Sequence, residues 1–189
     1  MAGRLTDRGL ERAARVLDVE VAALRAVVAV ESAGQGFLPD GRPKILFESH
    51  IFSRRTGARF DRSHPELSTP MPARQFYARD QYLRLYQAVQ LDADAAIQSC
   101  SWGLFQIMGF NYQACGEASL HGFVLAMNHN EDAHLNLAAN LIAERGWDRP
   151  LRRRQWDEFA RQYNGPAFKE NRYDEKLAAA YQRYAQGGA

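Results

Sequence analysis

Apolar residues recur along most of this chain with the 3.6-residue period of an α-helix. Leu10, Ala13, Ala14 and Leu17 form one stripe, and Thr6 or Asp7 can cap the helix that carries it, which runs to about Leu17. Asp18-Val19-Glu20 breaks that helix. Leu24, Val27, Val28 and Glu31 then fall at i, i+3, i+4 and i+7 on one face of a second. Gly36, Pro39-Asp40-Gly41 and Pro43 are turn signals throughout. Ile45-Leu46-Phe47 is short and apolar, either a strand beside that turn or the start of a helix running through Phe52. Gly57 to Pro72 is a polar loop. Helical periodicity resumes near Arg74 and continues through Tyr82, Leu83, Tyr86 and Val89, after which Asp92 can cap a short helix. Further helices fit residues about 119–127, 131–145, 150–163 and 171–185, with Gly146 and Gly165 as stops and Pro150 in a first turn. The pattern predicts a mainly α fold with at most a small β-hairpin near residues 36–47.

Composition narrows the class. A chain of 189 residues with 46% apolar side chains has enough hydrophobic material for one packed domain and is not a disordered protein. The net charge of +2 gives no electrostatic case for nucleic acid or a membrane surface. Only Lys44, Lys169 and Lys176 are lysines among the 24 basic residues, a bias that a GC-rich genome explains more cheaply than an anionic partner. Met1 to Arg8 has no apolar signal core, and no stretch approaches the roughly 20 apolar residues of a membrane span. Synthesis in the cytoplasm without a cleavable signal is therefore expected. Cys100 and Cys115 could pair if the fold brings them together, but in a reducing compartment they are expected to be free and buried. No repeat, linker or low-complexity tract interrupts the chain, which reads as one domain over 1–189.

Three stretches carry candidate chemistry. Glu31 ends an apolar helical face and is followed by Ser32-Ala33-Gly34-Gln35-Gly36, where glycines let the backbone turn away. A carboxyl group leaving the core at a last helical turn is desolvated, which raises its pKa and suits a proton donor. A solvated helix-end glutamate is the plainer alternative. In Ser101-Trp102-Gly103-Leu104-Phe105-Gln106-Ile107-Met108-Gly109, two glycines bracket an apolar run holding one amide. An exposed Trp102 would offer a flat face to a sugar ring, and Gln106 could bond an acetamido or hydroxyl group. In a buried helix, Trp102, Phe105 and Ile107 would instead be core, while Gln106 would still need a specific partner. Tyr163-Asn164-Gly165-Pro166 follows the amphipathic Trp156, Phe159, Ala160, Tyr163 face and, taken alone, is a structural turn.

In order, these stretches resemble the lysozyme-like superfamily of goose-type lysozymes and soluble lytic transglycosylases. The fuller set is similar to the N-acetylmuramidase domain of phage endolysins: Val30-Glu31-Ser32, Gly41-Arg42-Pro43, Leu46-Phe47-Glu48-x-His50-x-Phe52, Ser101 to Gly109 and Tyr163 to Pro166. It spans about Leu17 to Tyr184 and implies a catalytic domain without a separate wall-binding module. The implied reaction is cleavage of the β-1,4 bond between N-acetylmuramic acid and N-acetylglucosamine, with Glu31 as general acid. Glu48 is the first choice for the second carboxylate, unless Arg42 or His50 merely locks it to shape the cleft. Asp40 is the runner-up, although Pro-Asp-Gly is also a good turn. Carboxyl groups about 5–5.5 Å apart would imply retention of configuration, and about 6.5–9.5 Å inversion. Trp102, Phe105, Gln106, Tyr163, Asn164, His50 and Asp40 are the expected substrate contacts.

Other candidates are weaker. His129 and His134, with Glu131 and Asp132, lack the spacing that puts two imidazoles on one helix face, so no metal and no cofactor is expected. Arg152-Arg153-Arg154 is the solvated start of a helix or a basic rim, and Ser32 and Ser101 hold turns rather than act as nucleophiles. The expected partner is a peptidoglycan glycan strand met by a monomer, with no nucleic acid and no membrane insertion. Release to the wall would need another protein to open the membrane, a holin if the source is a phage. Two alternatives to hydrolysis are kept: a lytic transglycosylase leaving 1,6-anhydromuramyl ends, and a non-catalytic glycan-binding wall module.

Overall fold

A computed structural model describes residues 3–32 and 34–187; Met1, Ala2, Ala33 of the turn after Glu31, Gly188 and Ala189 lie outside them. The fold is mainly helical, with ten α-helices and one small sheet among the described residues. Helix α1 (Asp7–Leu17) starts where Thr6 Oγ1 accepts the Gly9 N–H at 3.0 Å and stops at Asp18, which adopts the left-handed conformation. Helix α2 (Val21–Glu31) follows. Strand β1 (Ile45–Phe47) runs directly into α3 (Ser49–Arg55), so the apolar Ile45-Leu46-Phe47 run is a strand and the residues after Glu48 are a helix.

Beyond the loop come α4 (Gln81–Val89), α5 (Ala93–Gln98), strands β2 (Cys100–Trp102) and β3 (Ile107–Met108), α6 (Leu120–Met127) and α7 (Glu131–Glu144). Then follow α8 (Asp148–Arg152), α9 (Trp156–Asn164) and α10 (Tyr173–Ala185). Asp80, Asp92, Ser119 and Asn130 each cap the helix that follows them. The helix expected from Arg74 is broken: Arg74–Phe76 is one turn of 3-10 helix, and α4 begins only where Asp80 accepts from the N–H groups of Tyr82 and Leu83. The helix expected over 150–163 is two, because Arg154 is left-handed (φ 57°) between α8 and α9. The Arg152 guanidinium of α8 caps the end of α1 through the carbonyls of Leu17 and Asp18.

The small hairpin expected near residues 36–47 is present: Phe37 and Pro43 form an antiparallel bridge, the Leu38 N–H bonds the Arg42 carbonyl and the Lys44 N–H the Gly36 carbonyl, both at 2.8 Å. Just beyond it, β1 joins a three-stranded sheet with distant partners. Its order is β1-β2-β3, antiparallel throughout, with Ile45 opposite Trp102 and Ser101 opposite Met108. The Ser101–Gly109 stretch is therefore a hairpin rather than a buried helix. Its turn needs positive φ at Gly103 (68°) and at Gln106 (49°), which a helix forbids. A side chain at Gly103 would also collide with the buried His134 ring, its Cβ falling 2.8 Å from Nδ1.

One apolar core draws on all ten α-helices and all three strands described, with Phe47, Phe52, Phe123, Phe159, Leu24 and Leu135 fully buried. A smaller cluster of Ala23, Ala26, Ala180 and Tyr181 seats α2 along α10. Thus α2 is held on both sides, and its last residue is fixed with it.

Candidate active site

Leu24 and Val27 face the core and Ala23 and Ala26 face α10, so α2 has little freedom to rotate. Its final residue, Glu31, is partly buried, and Ser32 caps the helix with its N–H on the Val28 carbonyl at 3.0 Å. The chain then returns at Gly36, whose N–H is held by the Glu131 carboxylate at 2.8 Å. Asn164, the last residue of α9, donates from Nδ2 to Glu31 Oε1 at 2.8 Å. Gly165, at φ 80°, turns the backbone away immediately afterwards, so the asparagine sits at a helix end facing the glutamate. Two helix termini, 133 positions apart in sequence, therefore meet at one carboxyl group.

The electrostatics of Glu31 are those of a desolvated acid. Burial raises its pKa above the ordinary glutamate range, and the Asn164 hydrogen bond and the Lys176 charge, which favour the ionised form, oppose that only in part. Tyr163 lies beside it, stacked on Phe159 (5.4 Å between centroids) and edge-on to Trp147 (5.7 Å). Burial, and then the Glu31 charge, push its phenol up, so it remains protonated.

Glu48 is built differently. It occupies the junction of β1 and α3, where its N–H bonds the Ser99 carbonyl at 2.9 Å and its own carbonyl accepts from Ile51 and Phe52. Its side chain is 16% exposed. The Tyr77 hydroxyl donates to both carboxylate oxygens, at 2.9 and 2.8 Å. His50 Nδ1 lies 3.3 Å from Oε2, close enough for a charge contact but without hydrogen-bond geometry. The expected lock by Arg42 is absent, because Arg42 is committed elsewhere.

That partner is Asp40, which accepts from Arg42 Nε (2.8 Å), Nη2 (2.6 Å) and the Arg42 N–H (3.0 Å). The Arg42 hydrogen bond holds the exposed Asp40 carboxyl below its usual range. The guanidinium also stacks over the Tyr82 ring at 4.0 Å. Asp40 thus braces the Pro-Asp-Gly turn.

Two of the expected substrate contacts lie in the core, and a third is engaged within the fold. Trp102 is 3% exposed: its indole N–H bonds the Ile97 carbonyl at 3.1 Å and its ring meets Phe123 edge-on, so no face is open to a sugar. Phe105, at 6%, belongs to the same core. Gln106 has the specific partners its setting requires, but they are internal. Its Oε1 accepts from Ser101 Oγ at 2.9 Å, and its Nε2 donates to the carbonyls of Gly103 (2.8 Å) and Lys44 (3.4 Å). The amide ties the β2–β3 turn to the start of β1. The histidine–carboxylate group on α7 is likewise structural. His134 is fully buried, accepts from the Leu104 N–H and bonds the Met127 carbonyl, while Glu131 holds the N–H groups of Leu5 and Gly36 and Asp132 those of Thr6 and its hydroxyl. Cys100 and Cys115 are both free and buried, and burial pushes the Cys115 thiol up to about 12.

Sequence reading missed Tyr77 and Lys176. Tyr77 lies where the periodicity from Arg74 predicts continuous helix, whereas the chain there leaves a single 3-10 turn and only re-enters a helix at α4. Lys176 reaches Glu31 electrostatically from α10, 145 positions away, and nothing local marks it.

Glu31 at the end of α2 and Glu48 directly after β1 thus stand in a mainly helical, lysozyme-like fold. The chain matches the family model for N-acetylmuramidase over residues 20–185 and belongs to that family. Among solved structures it is similar to the crystal structure of the Burkholderia AP3 phage endolysin, with 42% sequence identity and a TM-score of 0.91 over 98% of this chain and 72% of that one. A search of curated proteins found no match. Family and neighbour together make this a peptidoglycan-degrading glycosidase of the phage-endolysin type. Among the described residues, no helix is long and apolar enough to cross a membrane.

Proposed function

We propose that the chain hydrolyses the β-1,4 bond between N-acetylmuramic acid and N-acetylglucosamine, with Glu31 as the general acid. The observation that carries this is the burial of Glu31 at the meeting of α2 and α9, with its pKa raised and its carboxyl oriented by Asn164. Protonated, Glu31 donates its hydrogen to the bridging oxygen as the C1–O bond of the muramyl unit breaks. Water then adds to C1. Glu48 is the second carboxylate, its orientation supported by Tyr77, with His50 alongside. Accepting a proton from the attacking water gives inversion, and balancing the cationic carbon as a nucleophile gives retention, so the product anomer separates the two roles. Tyr163, Asn164 and His50 are the substrate contacts this reading keeps, since each adjoins one of the two carboxylates.

The same reading has the enzyme work as a monomer on a glycan strand, reaching the wall from the host cytoplasm through a holin-type opening. A second reading draws on the contact of Tyr77 with both Glu48 oxygens. If that contact only braces the β1–α3 junction, Glu31 acts alone and the muramyl 6-hydroxyl replaces water, as in a lytic transglycosylase. Mass spectrometry of digested peptidoglycan distinguishes them. Hydrolysis yields reducing-end N-acetylmuramic acid; 1,6-anhydromuramyl ends would overturn the proposal, and reducing-end N-acetylglucosamine would show that a different bond is cut.

A further inference from the structure

We propose that Tyr77 is the positioning residue of Glu48, and that α4 holds it there through Gln81. The inference rests on the reading of Glu48 as the second carboxylate and adds how that carboxylate is aimed. A glutamate side chain has three rotatable bonds, so fixing its carboxylate costs rotamer freedom. In this fold that ordering is completed before substrate arrives. One hydroxyl is shared between both oxygens of Glu48, a contact that only a narrow range of carboxylate orientations satisfies.

Tyr77 itself comes from a segment that cannot position anything unaided. It follows a single 3-10 turn in the polar stretch before α4, and its neighbours Arg74, Gln75, Ala78 and Arg79 are exposed. The order is imported from α4. Gln81 Nε2 gathers the carbonyls of Phe76 (3.0 Å), Tyr77 (3.1 Å) and Arg79 (2.8 Å), while its Oε1 accepts the Phe47 N–H at 3.1 Å. Phe47 is the residue before Glu48. One turn later, the buried Arg84 donates to the Phe47 carbonyl (2.9 Å) and to Ser49 Oγ (2.6 Å), on either side of Glu48. Its guanidinium also bonds the Glu66 carbonyl at 2.9 Å and lies over the Phe76 ring. Two side chains of one helix thus fix the Phe47 backbone and the Ser49 hydroxyl on either side of Glu48, and the loop whose tyrosine grips its carboxylate.

Burial and the adjoining Glu48 both push the Tyr77 phenol up, so the hydroxyl keeps its proton and remains a donor. His50 Nδ1 lies 3.3 Å from Oε2 on the other side but lacks hydrogen-bond alignment, leaving Tyr77 to set direction.

The experiment is a double-mutant cycle on the full chain, with kcat and KM measured on soluble glycan fragments. Tyr77→Phe keeps the ring and removes only the hydroxyl. The expected result is a fall in kcat of about 10- to 100-fold with KM unchanged, the scale of a misaimed catalytic group. In the Glu48→Gln background the same change should alter kcat by less than about 2-fold, because the group it acts through is already disabled. Gln81→Ala should lower kcat in the same direction, with thermal unfolding run beside it to report folding. If Tyr77→Phe matches the parent while Glu48→Gln is impaired, or costs the same factor in both backgrounds, Tyr77 does not act through Glu48 and the proposal is overturned. If Glu48→Gln itself turns over like the parent, the reading of Glu48 as second carboxylate fails first, and that outcome is visible separately.

Discussion

The surroundings of Glu31 and Glu48 give one functional group two different characters. Glu31 stands at a junction of two helix ends, desolvated among α2, α9 and α10, with Asn164 donating to Oε1. Glu48 stands at a strand–helix junction, gripped through both oxygens by Tyr77 and flanked by His50. Burial tunes the proton affinity of the first; donors fix the direction of the second. A carboxyl that must carry a proton benefits from poor solvation, whereas one that must face a particular atom benefits from being held. The division of labour proposed above follows from that contrast, and mutations on the two sides should therefore fail in different ways.

The largest effect is expected from Glu31→Gln, which should lower turnover by about 10³-fold in a turbidity assay on permeabilised cells, within the range attributed to general acids. Its stability signature should run the opposite way. The folded pKa of Glu31 is raised, so its contribution to stability is fully present below the unfolded pKa and is lost as pH rises through the folded value. At neutral pH the glutamine variant should therefore melt at or above the temperature of the parent, and the difference should shrink on acidification. Lysis at the parental rate would break the comparison at its first member.

Glu48→Gln should come next, lowering kcat by about 10²-fold with KM and melting temperature nearly unchanged. A variant that keeps its turnover but melts earlier would make Glu48 a purely structural carboxylate. Asn164→Ala is expected to cost about 10-fold, a smaller loss because the acid remains while its orientation is loosened. Since the lost donor favours the ionised form, the alkaline limb of its activity profile should move to higher pH. Lys176→Gln should be smallest: plateau turnover preserved, with the alkaline limb shifted upward slightly at low salt and less at high salt, as expected of an exposed charge. A downward shift in either variant would contradict the assigned signs.

How much of this was legible in the sequence depends on whether the information is local. The stripe of Leu10, Ala13, Ala14 and Leu17 and its Thr6 cap are local, and α1 forms as the pattern predicts. The Glu31 register is local too, since a helix period and the glycines after it bring the carboxyl to the edge of the core. The strands are not. A three-residue strand such as Cys100–Trp102 is too short to show a period of two, and its partner Ile45–Phe47 lies more than fifty positions away. Trp102 therefore offers no local sign of whether its indole is open or sealed by Phe123. For Gln106 the need for a partner could be read, but not that Ser101, Gly103 and Lys44 supply it. Tyr77 was hidden for another reason: the periodicity from Arg74 reads as continuous helix, whereas the segment before Asp80 is a loop that takes its order from Gln81 and Arg84 on the next helix.

The most direct test of the central claim is a titration of the Glu31 side-chain carboxyl by ¹³C NMR in the intact protein, set beside the pH profile of kcat. The midpoint is expected above that of an ordinary glutamate, to coincide with the alkaline limb of activity, and to move upward with it in Asn164→Ala. A midpoint at or below the ordinary range, or an activity limb that stays in place when the carboxyl titration moves, would contradict the assignment of Glu31 as the proton donor.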